Sequence, residues 1–530
     1  MEHRGSVLLL QGWVLMADTL APPTKLRLVG HLADGKPWEM DVPLNRQRLD
    51  VVAALGLPTS AAQCGFFFYG CTPEGRPEAL RLESASGSTL VRFWTTPAHS
   101  SLHFSMDRLQ SWRHLVRRGM RLLRSGQWRD LAVRVGKHVR AAMPRKPLES
   151  PQTQDTCAAA VDCLVIDHDL GGGANQFRRH WVANELAAGK SLVVLTFSLL
   201  GLRYAAQLHS PGLAPRILTH LAWDEVLPWI DRMCPGRIFY NNAVSFPEAL
   251  ALVQGLSAYK AERGATCLLT VAIHDYFMAC PSQHLIHADG QYCQIPDDLH
   301  VCRDCLSRSQ QDMVPLYRRH DLASWRQAWG TFLHAADEVL TFDHSANEIL
   351  SKAHRPLTPR QLVLRPHAIP ALSAQEQAIL ASWKQGKPHS RRRIGIVGMI
   401  GSDIKGARRV HELVQAIDAE NLPYEIISIG QITPKPSGAH CFRETGPYKP
   451  QDLTKLVVRN NIDVFFFCST GPETFSYVLH EIERFNLPVA AFDLGAQSTF
   501  LKRYSLAIPL NLKDSAKIIL QRIACTPTNS

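Results

Sequence analysis

The predicted architecture rests on the segment Val464-Phe-Phe-Phe-Cys-Ser-Thr-Gly-Pro-Glu-Thr-Phe-Ser-Tyr-Val-Leu-His-Glu481. Its first five residues form an apolar run typical of a buried parallel strand, and a second apolar run follows at 488–492. The residues between the two runs predict a turn and then an amphipathic helix that begins at Glu473 or Thr474. Strand, turn, helix and strand in this order are the unit of a parallel α/β sheet.

Two carboxylates mark the predicted helix. Glu473 and Glu481 are eight residues apart, which on a helix places them roughly 80° apart around the axis and roughly 12 Å apart along it. The backbone N–H groups at the start of such a helix, from Thr474 to Tyr477, suit a phosphate. The segment therefore predicts a site for a long polar ligand, although two glutamates at this spacing also occur by chance on a solvated helix face.

This arrangement resembles the donor-binding helix of the retaining GT-B glycosyltransferases, in particular glycosyltransferase family four. The resemblance implies that Glu473 contacts the transferred sugar and that Glu481 binds the ribose of a nucleotide. It also implies that Thr474, Phe475 and Ser476 contribute to donor binding.

The composition is that of a globular chain with an uneven charge. The 530 residues suffice for three domains, and the formal net charge is +11. Twelve Lys or Arg residues against two Asp between residues 106 and 147 give that segment a net charge of 12 − 2 = +10. The rest of the chain is nearly neutral, which argues against a nucleic-acid-binding surface spread over the whole protein.

Cysteine usage indicates a reducing compartment. The thirteen cysteines are odd in number and lie partly within predicted core strands, which is not the pattern of a disulfide scaffold. No apolar stretch approaches the length of a membrane span, and the apolar residues 6–17 are interrupted by Gln11 and Gly12. We therefore expect a cytoplasmic protein without a signal peptide.

The amino-terminal third predicts two accessory parts. Residues 1–98 show short strands with Gly and Asp turns, which predicts a small β-sandwich with a role in either carbohydrate contact or packing. Residues 99–156 predict two basic amphipathic helices followed by a linker, with Arg113, Arg117, Arg121 and Arg124 between apolar positions. The helices suit either a linker with solvated arginines or attachment to an anionic membrane face at the inner membrane, with nucleic acid as a third alternative.

Residues 157–372 predict a first Rossmann-like domain. A glycine-rich run, with Gly171, Gly172, Gly173 and Asn175, follows the strand at 162–167. Glycines between a strand and a helix let a ligand approach the backbone closely, and this run resembles the glycine-rich loop that lines the cleft of family-four enzymes on the acceptor side.

His274 and Asp275 follow a later strand, at the sheet edge where ligands bind. The resemblance implies that a residue at this strand end faces the transferred sugar, so both are candidate catalytic residues. A structural His-Asp pair is the alternative.

Four cysteines follow within 26 residues, namely Cys280, Cys293, Cys302 and Cys305. The segment lacks helical or strand periodicity, which is compatible with a loop folded around a structural zinc ion. The spacings are not those of a standard zinc ribbon, so reduced thiols or a redox pair remain alternatives.

Residues 373–392 predict a hinge, and residues 393–530 a second Rossmann-like domain. Its first strand leads into Gly398 and Gly401, followed by Lys405 and Gly406 at the start of a helix. A cation and free amides at one strand end suit a diphosphate, and the motif resembles the glycine and lysine motif of the family's donor domain.

Together these motifs predict an α/β chain of GT-B type, preceded by the β-sandwich and the basic helices. The resemblance implies a metal-independent glycosyltransferase of hexosyltransferase type, with no cofactor needed for catalysis. Its donor would be a nucleotide-diphosphate sugar and its acceptor a glycan or lipid-linked glycan in bacterial polysaccharide or lipopolysaccharide biosynthesis. Two alternatives are a catalytically inactive GT-B protein that senses sugars or assists assembly, and a metal-bearing nucleic-acid module.

Overall fold

The structure, a computed structural model, describes most of the chain outside residues 93–160. The described residues are 2–92, with gaps at 5–6, 17–18, 32–35, 49–50, 53–54, 56, 72–77 and 85–88, and 161–525, with gaps at 200–201, 310, 312, 384–390 and 437–439. The chain divides into two compact units, one of residues 1–26, 42–76 and 160–530 and one of residues 27–41 and 77–159. The predicted basic helices at 99–156 lie outside the described residues.

The amino-terminal strands form two sheets, one in each unit. The strands are β1 (Glu2–Arg4), β2 (Val7–Trp13), β3 (Leu26–His31), β4 (Pro37–Val42), β5 (Gly65–Cys71), β6 (Glu78–Ser84) and β7 (Thr89–Arg92). The first unit contains the sheet β1-β2-β5, and the second contains the sheet β4-β3-β6-β7. In the first unit, the Tyr69 hydroxyl donates to the carbonyl of Ser245 at 3.0 Å, so β5 packs on the α/β part of that unit. The predicted domain limits in this region stay predictions.

Residues 161–364 form an eight-stranded sheet. Its strands are β8 (Cys163–Ile166), β9 (Leu192–Ser198), β10 (Arg203–His209), β11 (Arg216–Leu221), β12 (Arg237–Tyr240), β13 (Leu268–Ala272), β14 (Glu338–Thr341) and β15 (Leu362–Leu364), in the order β11-β10-β9-β8-β12-β13-β14-β15. The six strands from β9 to β15 in this order are parallel. The edge strands β10 and β11 form an antiparallel hairpin that the sequence did not predict.

Seven helices accompany this sheet in the described residues. They are α1 (Gly172–Ala187), α2 (Trp223–Met233), α3 (Ala249–Arg263), α4 (Leu299–Arg308), α5 (Val314–Tyr317), α6 (Leu322–Ala335) and α7 (His344–Leu350). Both faces of the sheet are covered: alternate residues of β8 belong to two different hydrophobic cores, with Leu164 in one and Val165 in the other. This explains why β8 is apolar at every position.

Residues 392–524 form the second half. Its strands are β16 (Arg392–Ile400), β17 (Tyr424–Ile432), β18 (Phe442–Glu444), β19 (Val464–Phe467), β20 (Val489–Phe492) and β21 (Ala507–Leu510), and its helices are α9 (Ala407–Ala419), α10 (Leu453–Asn460), α11 (Tyr477–Ile482), α12 (Gly495–Arg503) and α13 (Ala516–Ala524). All six strands are parallel, in the order β18-β17-β16-β19-β20-β21. Numbered within this half, the order is 3-2-1-4-5-6, which is that of a Rossmann fold.

The predicted hinge contains one helix that the sequence did not predict. Helix α8 (Ala374–Ser382) begins after Ser373, whose hydroxyl accepts from the backbone N–H of Glu376 while the Glu376 carboxylate accepts from the backbone N–H of Ser373. This capping box explains where the helix begins. The two halves are thus Rossmann-like domains that face each other across a cleft, which confirms the predicted GT-B fold class. No helix among the described residues is long and apolar enough to cross a membrane.

Strand order places the cleft. In the second half the order of the strands reverses direction between β16 and β19, and in the first half it reverses between β8 and β12. Ligands of doubly wound sheets bind outside the carboxyl ends of the strands at such points. The Lys405 loop follows β16, the Glu473 turn follows β19, and the glycine-rich run follows β8. Topology therefore brings the predicted motifs to the two switch points.

Candidate active site

A cavity of about 490 Å³ lies between the two halves. From the first half it is lined by the glycine-rich run at 170–174, by His274 and Asp275, and by Gln283 and His284. From the second half it is lined by residues 396–400, by Lys405 and by residues 471–478. The structure thus brings together motifs that lie about 300 residues apart in sequence.

Lys405 and Glu473 form an ion pair at this cavity. The Lys405 Nζ lies 3.2 Å from Oε1 of Glu473. The charge of Glu473 raises the pKa of Lys405. Lys405 is therefore a permanent cation at the cavity, and the carboxylate beside it holds the ammonium in place.

The loop that carries Lys405 is tied to the turn after β19. Thr470 donates from its backbone N–H to the carbonyl of Ile404 at 2.9 Å and from its hydroxyl to the carbonyl of Asp403 at 3.0 Å. Gly406 completes this contact: its φ is +91°, and a Cβ there would lie 2.1 Å from the carbonyl oxygen of Cys468. The two loops approach so closely that only glycine fits.

The predicted donor glycines divide in two groups. Gly398 lines the cavity with a φ of +119°, and it lies against Gly430, where a Cβ would come within 2.0 Å of the Gly398 carbonyl oxygen. Gly401 and Gly406 are not among the lining residues. Gly406 helps to fix the position of Lys405, because a Cβ there would collide with the Cys468 backbone. A Cβ built on Gly401, by contrast, meets no heavy atom within 4 Å.

The predicted helix start at Glu473 or Thr474 is wrong. Helix α11 begins at Tyr477, and its N-cap is Ser476, whose hydroxyl accepts from the backbone N–H of Leu479. Glu473 therefore lies in the turn before the helix while Glu481 lies on it, and the separation worked out for one continuous helix does not apply. The six-residue helix is also too short to supply a phosphate site by its start alone.

The turn positions Glu473 through the buried side chain of Gln497. Its Oε1 accepts from the backbone N–H of Glu473 at 3.1 Å, and its Nε2 donates to the carbonyl of Gly471 at 2.8 Å. The Glu473 carbonyl accepts from the backbone N–H of Ala496 at 2.8 Å. These bonds fix the backbone from which the Glu473 carboxylate reaches Lys405.

Thr474, Phe475 and Ser476 also line the cavity. The Thr474 hydroxyl donates to the carbonyl of His274 at 2.8 Å, which joins the two halves directly. Glu481 is not among the lining residues. Burial raises the pKa of Glu481. Burial and, secondly, the charge of Glu481 raise the pKa values of Tyr448 and Tyr477, so Glu481 lies near these phenols.

In the first half, a buried polar network holds the glycine-rich run. The Asn175 amide donates to Asp167 Oδ2 at 2.7 Å, and its oxygen accepts from the backbone N–H of Gly171 at 2.6 Å. Arg178 lies 3.2 Å from the same carboxylate. Burial raises the pKa of Asp167 to about 6 in spite of this guanidinium. Gly171 and Gly172 adopt φ values of +89° and +83°, which explains the glycines.

His274 and Asp275 lie where the topology predicted, on the cavity wall. The His274 Nε2 is 2.8 Å from Oδ1 of Asn241, and its ring stacks on Phe342 with centroids 4.6 Å apart. Burial lowers the pKa of His274 well below its usual value, so the ring is neutral. Asp275 accepts from the Asn242 amide at 2.8 Å and from the backbone N–H of Phe277 at 2.9 Å. Burial raises the pKa of Asp275 to about 6.

Several residues that line the cavity were not predicted as site residues from the sequence. His367 stacks on Phe342 with centroids 4.0 Å apart and contacts Phe475 and Tyr477 of the second half. Asn242 follows β12, so the strand-end rule would have found it. His284 carried no local signal, because it reaches the cavity only through the path of the segment after Phe277.

The segment that holds the four cysteines is not wholly the loop that the sequence predicted. Cys302 and Cys305 lie on helix α4, which begins after Asp298, and their side chains face the interior. The charges of the other three thiols contribute to the raised pKa of Cys280, so all four lie in one neighbourhood. Among the described residues, however, no three His, Cys, Asp or Glu side chains are arranged to hold a metal ion. Zinc at these thiols stays a prediction that metal analysis of the purified protein can test.

No protein-family model matches the sequence, and no curated protein matches it. The chain is similar to several solved structures at low sequence identity. A sucrose-phosphate synthase from Thermosynechococcus elongatus is 13% identical, with 68% of this chain and 90% of that chain covered and a TM-score of 0.40. A glycosyltransferase from Rickettsia africae is 11% identical, with 68% and 86% covered and a TM-score of 0.42. HepE from Anabaena in complex with UDP and glucose is 13% identical, with 69% and 89% covered and a TM-score of 0.39.

Proposed function

We propose that the chain is a glycosyltransferase that takes a sugar from a nucleotide-diphosphate sugar. The observation that carries the proposal is the cavity in which the Lys405–Glu473 pair of the second half faces His274 and Asp275 of the first half. A diphosphate needs a fixed cation and backbone donors, and a sugar needs carboxylate acceptors for its hydroxyls. Both kinds of group line this one cavity.

In this reaction Lys405 and the backbone N–H groups at 474–477 stabilise the departing diphosphate, and no metal ion is required. Glu473 orients the sugar by accepting hydrogen bonds from its hydroxyls, and Glu481 binds the ribose beside Tyr448 and Tyr477. The first half holds the acceptor at the glycine-rich run. Catalysis is then chiefly positional and electrostatic, because the groups are fixed before the substrate arrives.

A thermal-shift screen of UDP-glucose, GDP-mannose, ADP-glucose and dTDP-glucose tests donor binding. One donor class at about 100 times its dissociation constant should stabilise the protein by about 2.7 kcal/mol. Glu481→Ala should reduce this stabilisation. Glu483→Ala is the matched control, because the Glu483 carboxylate is engaged in an ion pair with Arg503 at 2.5 Å and no ligand contact is proposed for it. The proposal fails if none of the four donors stabilises the wild-type protein.

Transfer is tested separately with the donor so identified. The wild-type protein should release nucleoside diphosphate, and Glu473→Gln should reduce the rate at least a hundredfold. Addition of EDTA should leave the rate unchanged. Binding without release, equal in wild type and variant, would favour the alternative of an inactive sugar-sensing or assembly protein. The anomeric configuration of the product, followed by NMR, tests retention.

For the acceptor we propose a lipid-linked bacterial glycan at the cytoplasmic face of the inner membrane. Its support is the basic segment at 99–156, whose positive charge suits an anionic membrane face. The full chain should sediment with vesicles that contain phosphatidylglycerol and not with neutral phosphatidylcholine vesicles. Replacement of Arg113, Arg117, Arg121 and Arg124 by Glu should abolish sedimentation. Equal sedimentation of this variant would remove the basis for membrane attachment.

A further inference from the structure

The charge of the cavity does not match that of a diphosphate. Lys405 is the one lysine or arginine among the described residues that line it, and Glu473 already neutralises Lys405 at 3.2 Å. Arg409 is directed elsewhere, to the Glu412 carboxylate and the carbonyl of Leu512, and Arg408 lies 3.9 Å from Glu412. A nucleotide sugar brings one negative charge on each phosphate, and burying these charges without a second cation is costly.

His284 lies beside Lys405, although it belongs to the other half. It lines the cavity with Gln283, Ile404 and Lys405. Its backbone packs directly on the second half, since a Cβ built on Gly471 would lie 3.7 Å from the His284 carbonyl oxygen and 3.1 Å from Ile404. Burial and the charge of Lys405 lower the pKa of His284 to about 4. With the cavity empty, the imidazole is therefore neutral near pH 7.

The other three imidazoles on the cavity wall are committed to contacts within the first half or to ring stacking. His168 Nδ1 accepts from the backbone N–H of Leu170 at 3.1 Å, and His274 Nε2 lies 2.8 Å from Asn241. His367 is packed between aromatic rings. His284 has one polar side-chain contact among the described residues, at 3.2 Å from Nε2 of Gln283.

We propose that His284 is the second cation for the donor diphosphate, and that it takes up a proton when the nucleotide sugar binds between it and Lys405. This inference rests on the proposed function and adds a binding residue from the first half. The bound phosphates reverse the local field: the neighbour that opposes protonation of the empty site is then outweighed by two anions. Donor binding is thereby coupled to pH and to contact between the two halves.

The groups around His284 determine which residue takes up the proton when the donor binds. Lys405 and its partner Glu473 face it from the second half, while Ile404 and Gly471 are uncharged. Gln283 beside it is neutral. Asp275 lines the same cavity with a pKa raised to about 6 by burial, so it is a second group that binding of an anion could protonate. A variant at position 284 is therefore needed to separate the two.

The experiment is isothermal titration of the full chain with the nucleotide sugar selected from UDP-glucose, GDP-mannose, ADP-glucose and dTDP-glucose. A nucleotide sugar suits the purpose because its diphosphate has no group that titrates near neutral pH. Titrations at pH 6 and 7, each in two buffers of different ionisation enthalpy, give the number of protons taken up. If binding takes up one full proton, the affinity for the nucleotide sugar must change tenfold per pH unit.

The wild-type protein should take up close to one proton at pH 6 and bind about tenfold more weakly at pH 7. His284→Gln should take up no proton and bind weakly at both values, whereas His284→Lys should bind tightly at both. His287→Gln is the control, because His287 pairs with Asp289 at 3.1 Å outside the cavity lining and should behave as wild type. Equal uptake by wild type and His284→Gln would overturn the inference in favour of Asp275. If no donor binds the wild type at either pH, the proposed function itself fails.

Discussion

Substitution of Gly406 by alanine tests how the Lys405 loop is built. The glycine has a φ of +91°, and an alanine Cβ would lie 2.1 Å from the Cys468 carbonyl oxygen and 2.6 Å from its carbonyl carbon. Both atoms belong to the backbone, so no side-chain rotation relieves the collision. The two loops must separate by about 1 Å to restore ordinary contact, and the left-handed conformation costs roughly 1–3 kcal/mol in addition.

Separation of the two loops would disturb the site, because Lys405 lies on one loop and Glu473 on the other, and Gly406 lies where the loops meet. We expect Gly406→Ala to lower the melting temperature by at least about 4 °C, on the basis of 2–4 °C per kcal/mol for a domain of this size. Donor binding should weaken about tenfold or more, since the 3.2 Å pair is pulled apart.

Gly401→Ala is the matched control in the same loop. A Cβ at Gly401 meets no heavy atom within 4 Å, and its φ is not positive. Differential scanning fluorimetry and donor titration of the two variants complete the test. The reasoning is refuted if Gly406→Ala melts and binds as the Gly401→Ala protein does.

Three further predictions follow from the site. Lys405→Met should weaken donor binding at least tenfold while leaving the fold intact by circular dichroism; unchanged affinity would contradict its role as the diphosphate cation. Thr474→Val should cost about 1 kcal/mol, because it removes the 2.8 Å bond to the His274 carbonyl, and a melting temperature equal to wild type would argue against that bond. Resistance to urea should fall as the pH is lowered from 6.5 towards 4.5, because unfolding takes up protons at imidazoles whose pKa burial lowers to about 4, namely His168, His284, His320, His354 and His367. Asp167, Asp275 and Glu481, whose pKa burial raises, oppose this trend, but they are fewer than the imidazoles, to which His274 also belongs; a flat urea midpoint over this range would contradict the prediction.

The sequence predicted the regular parts of the fold because their signals are local. Buried strands such as β19 are apolar at every position, since both faces of the sheet are covered. The hairpin of β10 and β11 was not predicted, because this local signal is absent there. It lies at the sheet edge, where β11 is exposed or half-exposed at five of its six positions and no continuous apolar run is required.

The start of α11 shows where local signals become ambiguous. Thr474 and Ser476 are both good helix caps, and the sequence does not rank them. The structure uses the Ser476 hydroxyl as the cap because the Thr474 hydroxyl is already engaged by the carbonyl of His274, 200 residues earlier in the chain. A tertiary hydrogen bond thus decides a local boundary.

Helix α4 illustrates a different error. Cys302, Cys305 and Leu306 form its buried face at helical spacing, so the cysteines serve as the apolar residues of an amphipathic helix. Reading them first as metal ligands concealed that periodicity. Free cysteine packs as a small apolar side chain, and it should be counted as one when periodicity is assessed.

The motifs of the site were predictable, but their geometry depends on partners that no motif contains. Gln497, fully buried on α12, fixes the turn that carries Glu473, and Asn175 fixes the glycine-rich run through Asp167. Each partner bonds to backbone groups, so it constrains position without contacting the cavity. Substituting either residue should therefore disturb donor or acceptor binding as strongly as substituting a lining residue, because electrostatic catalysis depends on where the charges are held.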